Sequence, residues 1–379
     1  VVLGIAAQYP LAGVTWQAVH YLEGLRAVGC EVFYVEDSGA PPYDPVRGGI
    51  AAEASGNVAF LAAVMHRLAL DEQWAYWDAQ ADVWHGMARE RVARLYGEVD
   101  AIFNLCGATH PRAEHHQGAR LCYVETDPVV EQMRVANGDP RTIAFLAEHD
   151  VLFTYGELLG RPSCAVPLER FAWIPTRPPV MLDAWTPAPP GAAYRSIATW
   201  ENKGKDVTFR GETYQWTKHR NFVRMIDVPR RSGVPFELAM DPLDDGVRRE
   251  LAAHGWTLVD PRPLSADLDR YREFIEGARG EFTVAKDIYV RPRSGWFSDR
   301  SVCFLAAGKP VVTQETGFGE IVPTGRGLLS FATPEEAVAA VCAVERDPAA
   351  HGRAAREIAA EYFGAERVLG AMLDAAGIG

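Results

Sequence analysis

Short apolar runs alternate with segments of helical period along nearly the whole chain, and that alternation leaves few folds open. Val1–Ala7, Glu31–Val35, Ala101–Leu105, Leu121–Val124 and Val151–Thr154 read as strands. Between them, Thr15–Val28, Val58–Leu70 and Gln80–Tyr96 read as helices, with Val19, Leu22 and Leu25 on one face of the first. Strands joined through helices pair in parallel, with helices covering both faces of the sheet. The alternation stops at Ile174–Gly191, where Pro175, Pro178, Pro179, Pro187, Pro189 and Pro190 rule out both a helix and a central strand. It then restarts with strands at Tyr194–Thr199, Phe236–Met240, Thr257–Val259, Phe282–Ala285, Pro310–Thr313 and Gly327–Leu329. Helices are expected at Asp244–His254, Ala266–Gly277, Ser298–Ala307 and Pro334–Arg346, and a helical tail follows from Ala349, broken near Gly364. The expected fold is α/β, with two doubly wound domains facing each other across a cleft. Their expected extents are 1–182 and 183–363, with the last helix, 364–379, able to pack back on the first domain.

The length of 379 residues fits two domains at roughly 100–200 residues each. A net charge of −12, from 38 basic and 50 acidic residues, disfavours binding to a nucleic-acid backbone but allows one local basic pocket. No apolar run approaches the roughly 20 residues of a membrane span. Val1–Ala7 has no basic residues before it and reads as a first strand, not a signal peptide. Cys30, Cys106, Cys122, Cys164, Cys303 and Cys342 form no Cys-x-x-Cys pair, so reduced core thiols and a cytoplasmic location are expected.

The segment Gly295–Phe318 carries the most chemistry. Gly295 permits a tight loop, and Ser298 suits the start of a helix whose first amides face outward. Ala306, Ala307 and Gly308 let that helix pack closely and stop; Lys309-Pro310 then opens a buried strand, and a loop over Gln314–Gly319 follows it. A helix N-terminus beside two strand-end loops suits a diphosphate, because its free N–H groups carry about half a positive charge.

The run Ala306-Ala-Gly-Lys-Pro-Val-Val-Thr-Gln-Glu-Thr-Gly-Phe318 resembles the donor-binding half of nucleotide-sugar glycosyltransferases built from two Rossmann-like domains, the GT-B kind. Leu3–Ala7, Gly13 and Val19–Gly29 resemble their opening strand, loop and helix, and the long helical tail resembles theirs as well. The resemblance implies a nucleotide-diphosphate sugar (UDP-, dTDP- or GDP-linked) as co-substrate, and no tightly bound cofactor or metal. It places Ser298, Asp299, Arg300 and Ser301 at the diphosphate and Gln314, Thr316 and Gly317 at the sugar, with Phe318 as its wall. Cys303 departs from the pattern, since many retaining members hold the ribose with a Glu there; Asp299 or Glu315 is left for that role.

The leaving diphosphate needs cations. Lys203, Lys205, Lys218, Lys286, Arg291, Arg293 and Arg300 lie in the second half, and Arg300, Lys218 and Arg291 are the leading candidates. Thr208–Tyr214 reads as a hairpin, either a wall of the donor pocket or a surface flap. The first half is expected to hold the acceptor and a general base. Asp127 and His110 are the leading bases, with Glu125 behind them, and Gly13 and Asn104 sit on the facing strand-end loops. Asp127 before Pro128 also suits a helix cap. His115 and His116 read as surface residues and His20 as a core residue. The first loop lacks a Gly-x-Gly-x-x-Gly fingerprint. Asp267-Leu-Asp269 reads as helix-start acids rather than a metal site, and no histidine spacing suits a metal.

The expectation is a metal-independent glycosyltransferase that moves a sugar to a small-molecule acceptor such as a natural product. The alternatives are an epimerase of the same fold, a non-catalytic sugar-nucleotide binder, and a DNA-modifying glycosyltransferase, the last opposed by the acidic charge.

Overall fold

The computed structural model describes residues 1–202 and 204–378. In chain order the first half gives β1 (Val2–Leu3), β2 (Tyr34–Glu36), a small hairpin of β3 (Tyr43–Asp44) and β4 (Gly49–Ile50), then β5 (Trp74–Asp78), β6 (Val83–Gly86), β7 (Ala101–Leu105), β8 (Arg120–Glu125), β9 (Val151–Thr154) and β10 (Ile174–Pro175). The second half gives β11 (Tyr194–Thr199), a hairpin of β12 (Val207–Phe209) and β13 (Glu212–Tyr214), then β14 (Phe236–Asp241), β15 (Trp256–Val259), β16 (Gly280–Thr283), β17 (Val311–Gln314) and β18 (Leu328–Phe331).

Eight strands form one sheet in the order β10-β9-β8-β7-β1-β2-β5-β6, and six form another in the order β15-β14-β11-β16-β17-β18. Every pairing in the second sheet is parallel, and in the first only β6 runs antiparallel, on β5. Such strands are covered on both faces, and β7 and β17 are buried along their full length. The winding direction reverses beside β1, which lies between β2 and β7, and beside β11, which lies between β14 and β16. In doubly wound sheets these switch points are where crevices open at the strand ends.

Three local expectations are corrected. Residues 80–96 do not form one helix: the chain reverses after Asp78 to pair β6 with β5, and the helix begins only at Arg89. The cross-strand pair Trp77–Trp84, with rings 6.1 Å apart and 13° from parallel, replaces the helical period. The first strand is only Val2–Leu3, because the Ala6 and Ala7 amides turn to the Tyr34 hydroxyl and the Glu36 carboxylate. Gly13 is not on a loop but in the first turn of the helix Ala12–Ala27.

The halves are joined twice. The linker after β10 is pinned along its length: His20 Nδ1 accepts from the Met181 amide at 3.2 Å, and Arg356 donates to the Leu182 and Trp185 carbonyls at 3.0 Å each. Lys309 Nζ donates to Ala188 O and Pro189 O at 2.9 and 2.8 Å. The tail returns beside the linker, with the Val180 amide on Phe363 O (2.8 Å) and the Ala365 amide on Val180 O (3.0 Å). The last helix, Ala365–Ala376, then packs on Ala12–Ala27, so closely that a Cβ on Gly24 would meet Leu369 Cδ1 at 2.5 Å. No helix among the described residues is long and apolar enough to cross a membrane.

Candidate functional site

A cleft of about 800 Å³ opens between the halves at the β11 switch point. Its floor on the second half is made by Ile197–Thr199 at the end of β11, by Lys286 after β16 and by Ser298–Arg300. The first half contributes Leu11, Gly13 and Val14 together with the β3–β4 hairpin.

Two helices begin at this cleft without a side-chain cap. Ser298 precedes the helix Asp299–Ala306 in extended conformation (φ −87°, ψ 135°) and makes no capping bond, and Leu11 precedes Ala12–Ala27 in the same way. The first amides of a helix have no partner inside it, so both ends present free donors to the cavity. The Gly295 turn, at φ +79°, presses against the first half: a Cβ there would lie 2.7 Å from the Leu158 amide nitrogen.

Three cations converge here. Lys218 is 7% exposed, and its side-chain amine makes no hydrogen bond or ion pair among the described residues. Burial, reinforced by the charges of Arg300 and Lys286, lowers its pKa well below the usual lysine value. Lys286 donates to Asp127 Oδ1 at 3.2 Å and lies 3.3 Å from the centre of the Trp216 ring, a close cation–π contact. Burial lowers its pKa as well, against the pull of Asp127. Arg300 is turned inward: it donates to Glu281 Oε1 (2.5 Å), Ile197 O (3.0 Å) and Thr283 Oγ1 (2.9 Å), so its charge is largely matched by the buried Glu281. Asp299 accepts from Gln17 Nε2 of the first half at 3.1 Å, and burial raises its pKa to about 6.

Asp127 lies across the seam from Lys286 and accepts also from the Tyr289 hydroxyl. Burial works to raise its pKa, but Lys286 and Lys205 outweigh it and the carboxyl is lowered, hence ionised. It is not a helix cap, since the helix after it starts at Val130 with Val129 in that position.

The other residues singled out from the sequence divide sharply. Ser301 is buried with its hydroxyl unpaired. Arg291 leaves the cleft for the β12–β13 hairpin, where it meets Glu212 and the Thr213 carbonyl (2.9 Å), and Arg293 pairs with Glu320 at 2.7 Å. Gln314, Thr316 and Phe318 do not open onto the cavity. Gln314 Oε1 accepts from the Ala285 amide at 3.3 Å, Thr316 donates to Trp296 O at 2.6 Å, and Phe318 packs edge-on to Phe297. Gly317, at φ +103°, abuts Leu158, because that loop seals the seam between the halves. Glu125 is enclosed by Gln132 and by Thr154 at 2.5 Å; burial and the neighbouring Glu131 hold its pKa far above the usual range. Asn104 is not on a loop but inside β7, where its side chain bonds Thr109 O at 2.8 Å and His149 at 3.0 Å. His110 is exposed on a separate cavity of the first half. His115 is not on the surface but fully buried against Asp37 at 3.2 Å. Asp267 caps Leu268–Glu276 by accepting from Asp269 and Arg270 amides, as expected for helix-start acids. Lys203 lies outside the described residues.

Sequence reasoning missed the β3–β4 hairpin over the cleft, although Gly48-Gly49 is a turn signal. It also missed the aromatic stack behind Lys286, where Tyr289 lies on Trp296 with ring centres 4.3 Å apart.

No protein-family model matches the chain, and no curated protein matches it in sequence. Solved structures do match. An α-glucosyltransferase in complex with UDP superimposes with a TM-score of 0.58 at 11% identity, over 99% of this chain and 98% of the other. Anabaena HepE in complex with UDP and glucose gives 0.56 at 11% identity, over 99% of each chain. AviGT4, a glycosyltransferase involved in avilamycin A biosynthesis, gives 0.53 at 14% identity, over 96% of this chain and 89% of its own. The fold is GT-B. In a GT-B molecule the cleft described above is the space between the two Rossmann-like units; the second supplies Lys218, Lys286 and Arg300, and the first supplies Arg47 from the β3–β4 hairpin.

Proposed function

We propose that this GT-B protein is a glycosyltransferase whose donor is a nucleotide-diphosphate sugar. The reading rests on Lys218, which lines the cleft with no partner for its amine among the described residues, set among two uncapped helix starts and Lys286. A buried charge is costly unless something pairs with it, and a diphosphate is the anion this geometry suits. The fold neighbours in complex with UDP support a nucleoside diphosphate as that anion. In the reaction the bond from the sugar's anomeric carbon to the diphosphate oxygen breaks, and one to an acceptor hydroxyl oxygen forms. Lys218, Lys286 and the amides of residues 299–301 take up the leaving charge without a metal. Asp127, ionised and beside Lys286, accepts the hydroxyl proton. Closure of the cleft keeps water from the donor.

The test is thermal denaturation with UDP, dTDP and GDP. At one hundred times Kd a ligand stabilises by about 2.7 kcal/mol. One diphosphate is expected to raise Tm in the parent and not in Lys218→Ala. Asp127→Asn is expected to keep that shift but lose transfer by about 10²–10⁴-fold, which separates a transferase from a mere binder. No shift with any diphosphate would refute the donor site.

A further inference from the structure

The first sheet has a crevice of its own. A cavity of about 510 Å³ lies beyond the ends of β1, β2, β5 and β7, at the β1 switch point, and Ile5, Gln8, Tyr9, Trp77, Cys106 and His110 are among its walls. Its largest flat surface, Trp77, is held on three sides. The ring stacks on Trp84, its Nε1 donates to Asp82 Oδ1 at 3.4 Å, and its edge lies where a Cβ on Gly39 would come within 2.8 Å. Tyr9, 37% exposed, adds a second ring and packs 5.7 Å from Tyr43, which lines the donor cleft.

The cavity offers no unmatched charge: the charged side chain in its wall is Arg112, which is paired. No Asp or Glu lines it. The carboxylates beneath are consumed within the protein: Asp37 by Tyr96 (2.7 Å), Thr109 (2.9 Å), His115 and Arg112, and Glu36 by the Ala7 and Gln8 amides (2.6 and 2.8 Å) and Tyr34. Arg112 is matched by Asp37 and Glu114 in turn. A polar chain leads to the donor side, since Cys106 Sγ donates to Gln17 Oε1 at 3.2 Å and Gln17 holds Asp299.

We infer that this cavity seats the acceptor, and that the acceptor is an uncharged molecule whose flat ring, the C–H face of a pyranose or an aryl ring, lies on Trp77. The inference rests on the transferase reading, because that reading requires a second substrate. A rigid aromatic platform with a few neutral polar groups suits such a ring, whereas a charged acceptor would find no unmatched counter-charge.

The test titrates methyl β-glucoside and 7-hydroxycoumarin, as pyranose and aryl probes, into the protein by saturation-transfer NMR, with glucosamine and 4-hydroxybenzoate as charged controls. Each is measured with and without the diphosphate that raises Tm. One neutral probe is expected to bind, and to weaken about tenfold in Trp77→Ala while Trp77→Phe retains most of the affinity. Ala108→Leu, which adds bulk to the cavity wall and leaves Trp77 and Trp84 themselves unsubstituted, is expected to block it. Which probe binds decides between sugar and aryl acceptors. Binding by neither neutral probe, or tighter binding by a charged one, overturns the proposal. Such a failure beside an intact diphosphate shift leaves the donor reading standing; loss of the diphosphate shift itself refutes that reading separately.

Discussion

Asp299 carries a cost that pH should reveal. Its carboxyl sits near 6 in the folded chain, because burial disfavours the charge, against an ordinary value of 3.8. Between those values the folded chain holds a proton that the unfolded chain has released. Stability therefore falls as pH rises from about 4 to 6, and the whole deficit is present above 6. Asp299→Asn keeps an acceptor for Gln17 and has no charge to bury. It is expected to exceed the parent in stability at pH 8 by up to about 3 kcal/mol, with the gap closing below pH 4. Urea denaturation at the two pH values checks this; an equal gap at both would refute it. A bound diphosphate should raise the same pKa further, because it places negative charge at the same helix start.

Helix docking sets the next scale. Gly24→Val would force a side chain into Leu369 Cδ1 and Ala365 Cβ, which stand 2.5 and 2.7 Å from the Cβ position, and should cost about 1–3 kcal/mol. Gly370, on the last helix, has nothing within 4 Å of its Cβ position, so Gly370→Ala should gain about 0.5–1 kcal/mol through helix propensity. Denaturation midpoints of the two variants check the contrast. Elements of this kind were legible where local pattern decides them. Tyr194–Thr199 and Pro334–Arg346 fall where their sequence places them, because buried parallel strands and capped amphipathic helices are local signals. The edge hairpin β5–β6 was not legible, since the Trp77–Trp84 pairing spans a turn that the helical period conceals. At the site, the sequence places Lys218, Ser298 and Asp299 where the structure lines the cleft with them, although Ser298 stands at the helix start without making the capping bond. Gln314, Thr316 and Phe318 lie away from the cavity, in a loop whose Gly317 abuts Leu158 of the other half, a contact that no local pattern records.

At the scale of the molecule, a surface of net charge −12 surrounds a cleft floored by Lys218, Lys286 and two helix starts. Binding of a diphosphate should draw both halves onto it, and small-angle scattering should show a smaller radius of gyration with the ligand than without; an unchanged radius would argue against closure. The manner of that motion follows from the two chain crossings. A single covalent tether would let the halves swing, slide and twist independently. Here the outgoing and returning segments are hydrogen-bonded side by side through Val180, Phe363 and Ala365, as a two-ply strap. Such a strap is expected to flex across its width and to resist shear along it, so closure is expected to be a rotation about it, like the covers of a book about its spine. Ligands of different shape would then close the cleft along the same arc.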